Sequence, residues 1–198
     1  MNRKKRELLL RGSSETDANL LYFAGIQIPD PFFAFTLGGR KCALLSPLEA
    51  GRAARGANLD EIFDVSETCA RAKVPYSDFS ALCKILKSKR VSALAVAENF
   101  PAKFYADLCR EGFDVEIRAA PLFPEREIKT ERELREISRA NSAAAAGFAI
   151  AEEILRLSKI ARGKLVFESR PLTCEFLRAE IEKAALSLGK SDRSHVVL

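Results

Sequence analysis

The sequence predicts an α/β fold, a layered domain on a mixed sheet, with an incomplete α+β domain behind it. Three observations predict it. From Ser46 onward, helical and strand-like patterns alternate at steps of about 12–15 residues, the spacing of βα units in largely parallel sheets. Two apolar runs, Phe32 to Leu37 and Lys41 to Leu45, flank Gly38-Gly39-Arg40 and read as an antiparallel hairpin. After Ala119-Ala120-Pro121-Leu122-Phe123-Pro124 the alternation stops and a long helical period begins.

The elements follow in order. Leu8 to Leu10 reads as a short buried strand. Ser13 to Asp17 is a polar turn able to cap a helical turn through Asn19 to Phe23, and Gly25 stops it. Pro29-Asp30-Pro31 marks a loop before the hairpin. Ser46-Pro47-Leu48-Glu49 reads as a helix start, with Ser46 accepting from the N3 amide and Glu49 reaching back to the cap amide. Gly56 closes that helix. Ile62 to Val65 reads as a strand, with a short helical piece after Ser66 and a longer helix from Ser77 to Lys89. Val91 to Val96 is an apolar, strand-like run. Pro101 opens the next helix, Gly112 ends it, and Phe113 to Arg118 is the last strand.

The two prolines in Pro121-Leu122-Phe123-Pro124 predict an extended connector. The expected division is therefore a domain over 1–120, a linker over 121–129, and a second, incomplete domain over 130–198. Thr130 and Glu133 form a capping box. Leu134, Ile137, Asn141, Ala144, Phe148, Ala151 and Leu155 repeat at helical spacing and predict a packing stripe. Ala143 to Gly147 is small enough to let another element approach. Glu131 with Arg135 and Glu152 with Arg156 have the spacing of stabilising helix pairs. Leu165 to Phe167 reads as a strand or loop. A second helix runs from Thr173 to Leu188, with an apolar face of Phe176, Leu177, Ile181, Ala184, Ala185 and Leu188, and Gly189 closes it. Ser194 to Leu198 begins a strand. Two amphipathic helices and the start of a strand do not bury themselves, so this part is expected to lack its body.

Composition narrows the function classes. Of 198 residues, 47% are hydrophobic and 30% charged, which is too apolar for a disordered chain. No apolar run reaches the roughly 20 residues of a spanning helix, and no membrane association is expected. The net charge of +5 resides largely in Arg3, Lys4, Lys5 and Arg6, read as a solvated basic tail, so no nucleic-acid partner is expected. Five cysteines, Cys42, Cys69, Cys83, Cys109 and Cys174, form neither a disulfide framework nor a zinc pattern. They read as small packed hydrophobes in a reducing cytoplasm. The single histidine, His195, excludes histidine-rich metal sites, and no nucleotide-binding glycine motif occurs.

Three stretches resemble the creatinase/prolidase superfamily of Xaa-Pro aminopeptidases and dipeptidases. Asp17-Ala18-Asn19-Leu20-Leu21-Tyr22-Phe23-Ala24-Gly25 resembles an early family stretch, (D/N)-x-x-Y-L-(T/S)-G. Arg126 to Ala140 is similar to the family's inter-domain entry, with Ser138 in place of the usual base. Leu172 to Ile181 resembles the second helix of the catalytic domain. The resemblance implies a creatinase-type N-terminal domain that assembles homo-oligomers, and a "pita-bread" domain. In the full-length family that second domain holds two divalent metals (manganese, cobalt or zinc) and cleaves the bond before proline in peptide substrates. The family's two aspartates, one histidine and two glutamates have no counterpart motifs here. No catalytic, cofactor-binding or metal residue is therefore assigned. His195 receives no role, and Glu175 and Glu180 read as solvated carboxylates. The chain alone is expected to be inactive. The alternative is a standalone creatinase-type binding or oligomerisation module.

Overall fold

The structure is a computed structural model, and it describes residues 6–188. The chain divides into two compact units, Met1–Pro124 and Glu125–Leu198.

The first unit contains β1 (Glu7–Gly12), α1 (Ala18–Ala24), β2 (Phe32–Leu37), β3 (Arg40–Leu45), α2 (Pro47–Gly56), β4 (Glu61–Asp64), α3 (Val65–Ala72), α4 (Asp78–Ser88), β5 (Ala93–Ala97), α5 (Ala102–Arg110) and β6 (Asp114–Arg118). The strands form one mixed sheet in the order β4-β3-β2-β1-β5-β6. β2 is antiparallel to both neighbours and the other pairings are parallel, so β2 alone runs against the rest. The α/β expectation is met, and the hairpin supplies the one reversed strand.

Alternation along the strands sorts side chains to two faces. Leu9, Phe33, Phe35, Leu44, Leu94 and Val96 pack with α3, α4 and α5 residues such as Cys69, Leu82, Leu86 and Leu108. Leu10, Ala34, Ala43 and Leu45 face the other way, onto Leu20 and Phe23 of α1 and Ala53 of α2. A sheet covered on both faces explains why Phe32 to Phe35 is apolar at every position. Gly25 closes α1 in the left-handed region at φ 67°, and a Cβ there would stand 2.9 Å from Asn58 Cβ.

Local details depart from the sequence reading. Pro47 occupies the first turn of α2, but the Ser46 side chain makes no cap hydrogen bond. Glu49 binds Arg52 instead of turning back to the cap. Asp64, not Ser66, caps α3 by accepting from Glu67 N–H. Leu122 and Phe123 pack on the α1 side of the first unit, and Phe123 lies 5.3 Å from the Tyr22 ring. That segment is therefore core-bound, not a free extended connector. A 3-10 turn, Pro124–Glu127, follows it.

The second unit contains α6 (Glu131–Leu157), a meander of β7 (Lys159–Ala161), β8 (Lys164–Phe167) and β9 (Arg170–Pro171), and α7 (Cys174–Leu188). The Thr130–Glu133 capping box is present with both hydrogen bonds. The packing face of α6 is not the predicted stripe. Ala143, Gly147 and Ile154 are buried, whereas Phe148 is 79% exposed and Leu134, Ile137 and Leu155 are also exposed. The small-residue stretch decides this, because α7 approaches at Gly147, where a Cβ would meet Ile181 Cγ2 at 3.1 Å. The α6 ion pair that closes is Arg139–Glu136, not the two pairs expected from spacing. Gly189, Ser194 to Leu198 and His195 lie outside the described residues.

Candidate functional site

In open α/β sheets, ligand sites form beyond the carboxyl ends of the parallel strands. Here β3 and β4 end at Leu45 and Asp64, and each runs directly into a helix. A cleft of about 420 Å³ opens at this end of the sheet. Leu44, Leu45, Phe32 and Val65 form its apolar floor, and Ser46, Glu49, Tyr76 and Asp78 bring polar groups to it. Tyr76 is 65% exposed.

Three carboxylates line the cleft, Asp30, Glu49 and Asp78, and two of them hold arginines. Glu49, with a side chain only 10% exposed, holds Arg52 at 2.8 Å. Arg52 also donates to Gln27 O. Asp78, the first residue of α4, holds Arg11 from β1 at 2.7 Å. The Arg11 guanidinium lies 4.6 Å from the Phe33 ring centroid and 5.3 Å from that of Phe104. Burial pushes the Arg11 pKa down, and the charge of Asp78 acts against that shift. Its Nε and Nη1 are buried and have no acceptor among the described residues. Each half of this arrangement follows from sequence position. Arg11 is the fifth residue of a strand whose apolar part is Leu8 to Leu10, and Asp78 directly follows the Ser77 cap. Neither was singled out from sequence, because an arginine after an apolar run reads as a strand end until the fold seats it between two phenylalanines.

A cleft of this kind can hold a ligand. Among the described residues, no group of three or more His, Cys, Asp or Glu side chains is placed to hold a metal ion. Two of the three carboxylates lining the cleft, Glu49 and Asp78, are bound to arginines; the third is Asp30. The described residues therefore do not fit a dinuclear metal site.

The residues weighed from sequence are dispersed. Cys42, Cys69 and Cys83 are buried, whereas Cys109 and Cys174 are exposed, so only three of the five pack as expected. Burial, and secondarily Glu61, raises the Cys42 thiol to about 11. Burial, then Glu111, raises Cys83 to about 11. Both are poor nucleophiles at neutral pH. Glu175 is exposed at the start of α7, where its own backbone N–H and the Thr173 hydroxyl hold its carboxyl below the usual value. Glu180 pairs with Lys183 at 2.6 Å. Arg6 is not a solvated tail residue, because it binds Asp114 and Glu116, each at 2.8 Å.

No helix among the described residues is long and apolar enough to cross a membrane. No family model and no curated protein matches the chain. Solved structures do match it. The X-Pro aminopeptidase of Thermotoga maritima superposes with a TM-score of 0.68 at 13% identity, over 93% of this chain and 47% of that one. The prolidase of Pyrococcus horikoshii matches at 0.66 and 16% identity, over 93% of this chain and 45% of that one. An Xaa-Pro dipeptidase from Bacillus anthracis matches at 0.65 and 16% identity, over 92% and 44%. The chain thus spans a little under half the length of each of these proteins. Its fold is that of these X-Pro aminopeptidase and prolidase structures: a mixed-sheet α/β domain followed by helical and strand elements of a second unit.

Proposed function

We propose that this chain corresponds to the N-terminal part of an Xaa-Pro peptidase-like metallopeptidase and does not hydrolyse peptides by itself. One observation carries the reading. The chain superposes almost whole on X-Pro aminopeptidase and prolidase structures, yet spans under half of them. The dispersed carboxylates and the lack of a metal-holding cluster among the described residues support inactivity of this portion. In the full-length proteins of this kind, two divalent metals, manganese, cobalt or zinc, would activate the water that cleaves before proline. The domain division 1–120, 121–129 and 130–198 belongs to the same proposal; the first compact unit runs to Pro124, and Phe123 packs on its α1 side. Five free cysteines support a reducing cytoplasm.

A second reading, a standalone binding or oligomerisation module, is supported by the first unit's sheet, which is covered on both faces by its own helices. The experiment is hydrolysis of an Xaa-Pro dipeptide and an Xaa-Pro-Xaa tripeptide by the purified chain with added manganese, cobalt or zinc. The expected result is no turnover above metal alone. Turnover that disappears with a chelator overturns the proposal of inactivity.

A further inference from the structure

The two faces of the sheet show where its winding reverses. α1 and α2 pack on one face, and α3, α4 and α5 pack on the other. After β1 the chain builds toward one edge through β2, β3 and β4, and after β5 it builds toward the other edge, to β6. Right-handed crossovers in opposite directions place their helices on opposite faces. β1 and β5 are parallel neighbours, so the helices that follow them, α1 and α5, leave the sheet on opposite sides. A crevice opens beyond the carboxyl ends of two such strands, and open α/β sheets bind ligands at this switch point.

A cavity of about 200 Å³ lies here and shares no residue with the β3–β4 cleft. Asn19, in the first turn of α1, reaches it from the β1 side, Glu98 and Asn99 directly follow β5, and Arg118 ends β6. Asn99 Nδ2 donates to Asp17 Oδ2 at 3.2 Å, which ties the loop after β5 to the cap of α1 across the crevice. Leu122 adds an apolar wall. Glu98 and Arg118 are the charged groups of the lining. Arg118 is the register partner of Ala97, so the acid and the base sit at neighbouring positions of adjacent strand ends. Both side chains are exposed, and neither makes an ion pair among the described residues, with each other or with another group. A simple anion on Arg118 would face Glu98, and a simple cation on Glu98 would face Arg118. A molecule carrying both a carboxylate and an ammonium satisfies both at once. The volume is below the roughly 300–1,000 Å³ of sites for drug-sized ligands, so the molecule is small.

We propose that this crevice binds a free α-amino acid with a short aliphatic side chain. Arg118 takes its carboxylate, Glu98 its ammonium, and Leu122 its side chain. The proposal does not rest on the peptidase reading; its readout is binding and not hydrolysis, so either can fail alone. The test is titration of the isotopically labelled full chain with L-alanine, followed by amide NMR. Saturable shifts are expected at Glu98, Asn99 and Arg118, with a Kd on the order of 1 mM, and none at Ser46 or Tyr76 of the β3–β4 cleft. Propionate lacks the ammonium and L-alaninamide lacks the carboxylate, and each should bind at least about tenfold more weakly. Glu98→Gln and Arg118→Gln should each weaken L-alanine binding by at least about tenfold as well. Both side chains are exposed, so these variants should keep the native spectrum outside the crevice. Absence of saturation at roughly 100 mM L-alanine overturns the proposal. So do shifts centred on the β3–β4 cleft, propionate or L-alaninamide binding as well as L-alanine, or a glutamine variant that binds unchanged.

Discussion

Arg11 of β1 and Asp78 of α4 form an ion pair at 2.7 Å that ties the central strand to the helix beside the carboxyl-end cleft. The arginine side chain is 12% exposed and the aspartate 36%. The two halves of the pair therefore differ in what their loss costs. Removing Asp78 leaves a buried cation whose Nε and Nη1 already lack acceptors. Asp78→Ala should destabilise the chain by about 2 kcal/mol, between the exposed and buried limits for ion pairs. Arg11→Met keeps much of the packing against Phe33 and Phe104 while removing the charge, and should cost less. Urea unfolding of both variants checks this, and an Arg11→Met variant less stable than Asp78→Ala contradicts the account.

The two faces of α6 should respond oppositely to mutation. Gly147→Leu drives a side chain into Ile181, which already stands 3.1 Å from a Cβ position. Overpacking of this kind costs about 1–3 kcal/mol and should loosen α7, read as faster amide exchange across Cys174–Leu188. Phe148→Ala, on the exposed stripe, should change stability by no more than about 0.5 kcal/mol.

The buried thiols set an alkaline limit. Cys42 and Cys83 have folded pKa values raised to about 11, above the 9.0 of a free thiol. From pH 9 to 11 the unfolded chain loses these protons before the folded chain does. Stability is therefore full below pH 9 and falls as pH rises through that window. Cys42→Ala and Cys83→Ala should each flatten the decline measured by urea midpoint against pH. At pH 8, a thiol reagent should modify Cys109 and Cys174 in the native chain and leave the three buried cysteines unmodified until unfolding.

Limited trypsin digestion should cut first after Arg126 or Lys129 and release a resistant N-terminal fragment. Leu122 and Phe123 are packed on the first unit, whereas Glu127, Ile128 and Lys129 are exposed. Mass spectrometry of the first fragments identifies the site. A dominant first cut at Arg118 contradicts the packing of the 119–123 segment.

The α/β class, the hairpin and most element ends in the first unit were legible because local chemistry sets them. Asp17, Ser77 and Thr130 each accept from helix N-terminal amides as their sequence positions predict. Gly38 and Gly39 take positive φ in the hairpin turn. Where the sequence offered two local options, it did not choose between them. Ser46-Pro47-Leu48-Glu49 has the letters of a capping box, but Arg52 lies within reach of Glu49 and takes the carboxylate. Much the same holds for Arg6, which Asp114 and Glu116 draw out of the basic tail from 108 and more residues away.

By itself, then, the sequence determined what depends on neighbours in the chain: period, caps, turns and the apolar content of each strand. Only the tertiary structure decided what depends on partners distant in sequence. Strand order placed Arg11 against Phe33 and Asp78, and put β6 at an edge with Ile117 exposed. On α6, periodicity offered the stripe from Leu134 to Leu155 as the packing face, while the small Ala143–Gly147 stretch offered close approach to another element. Close approach of two helices requires small residues at the contact, so α7 settled on Gly147 and left Phe148 outside. Periodicity gives a helix its faces, but which face is buried depends on the shape of the element that meets it.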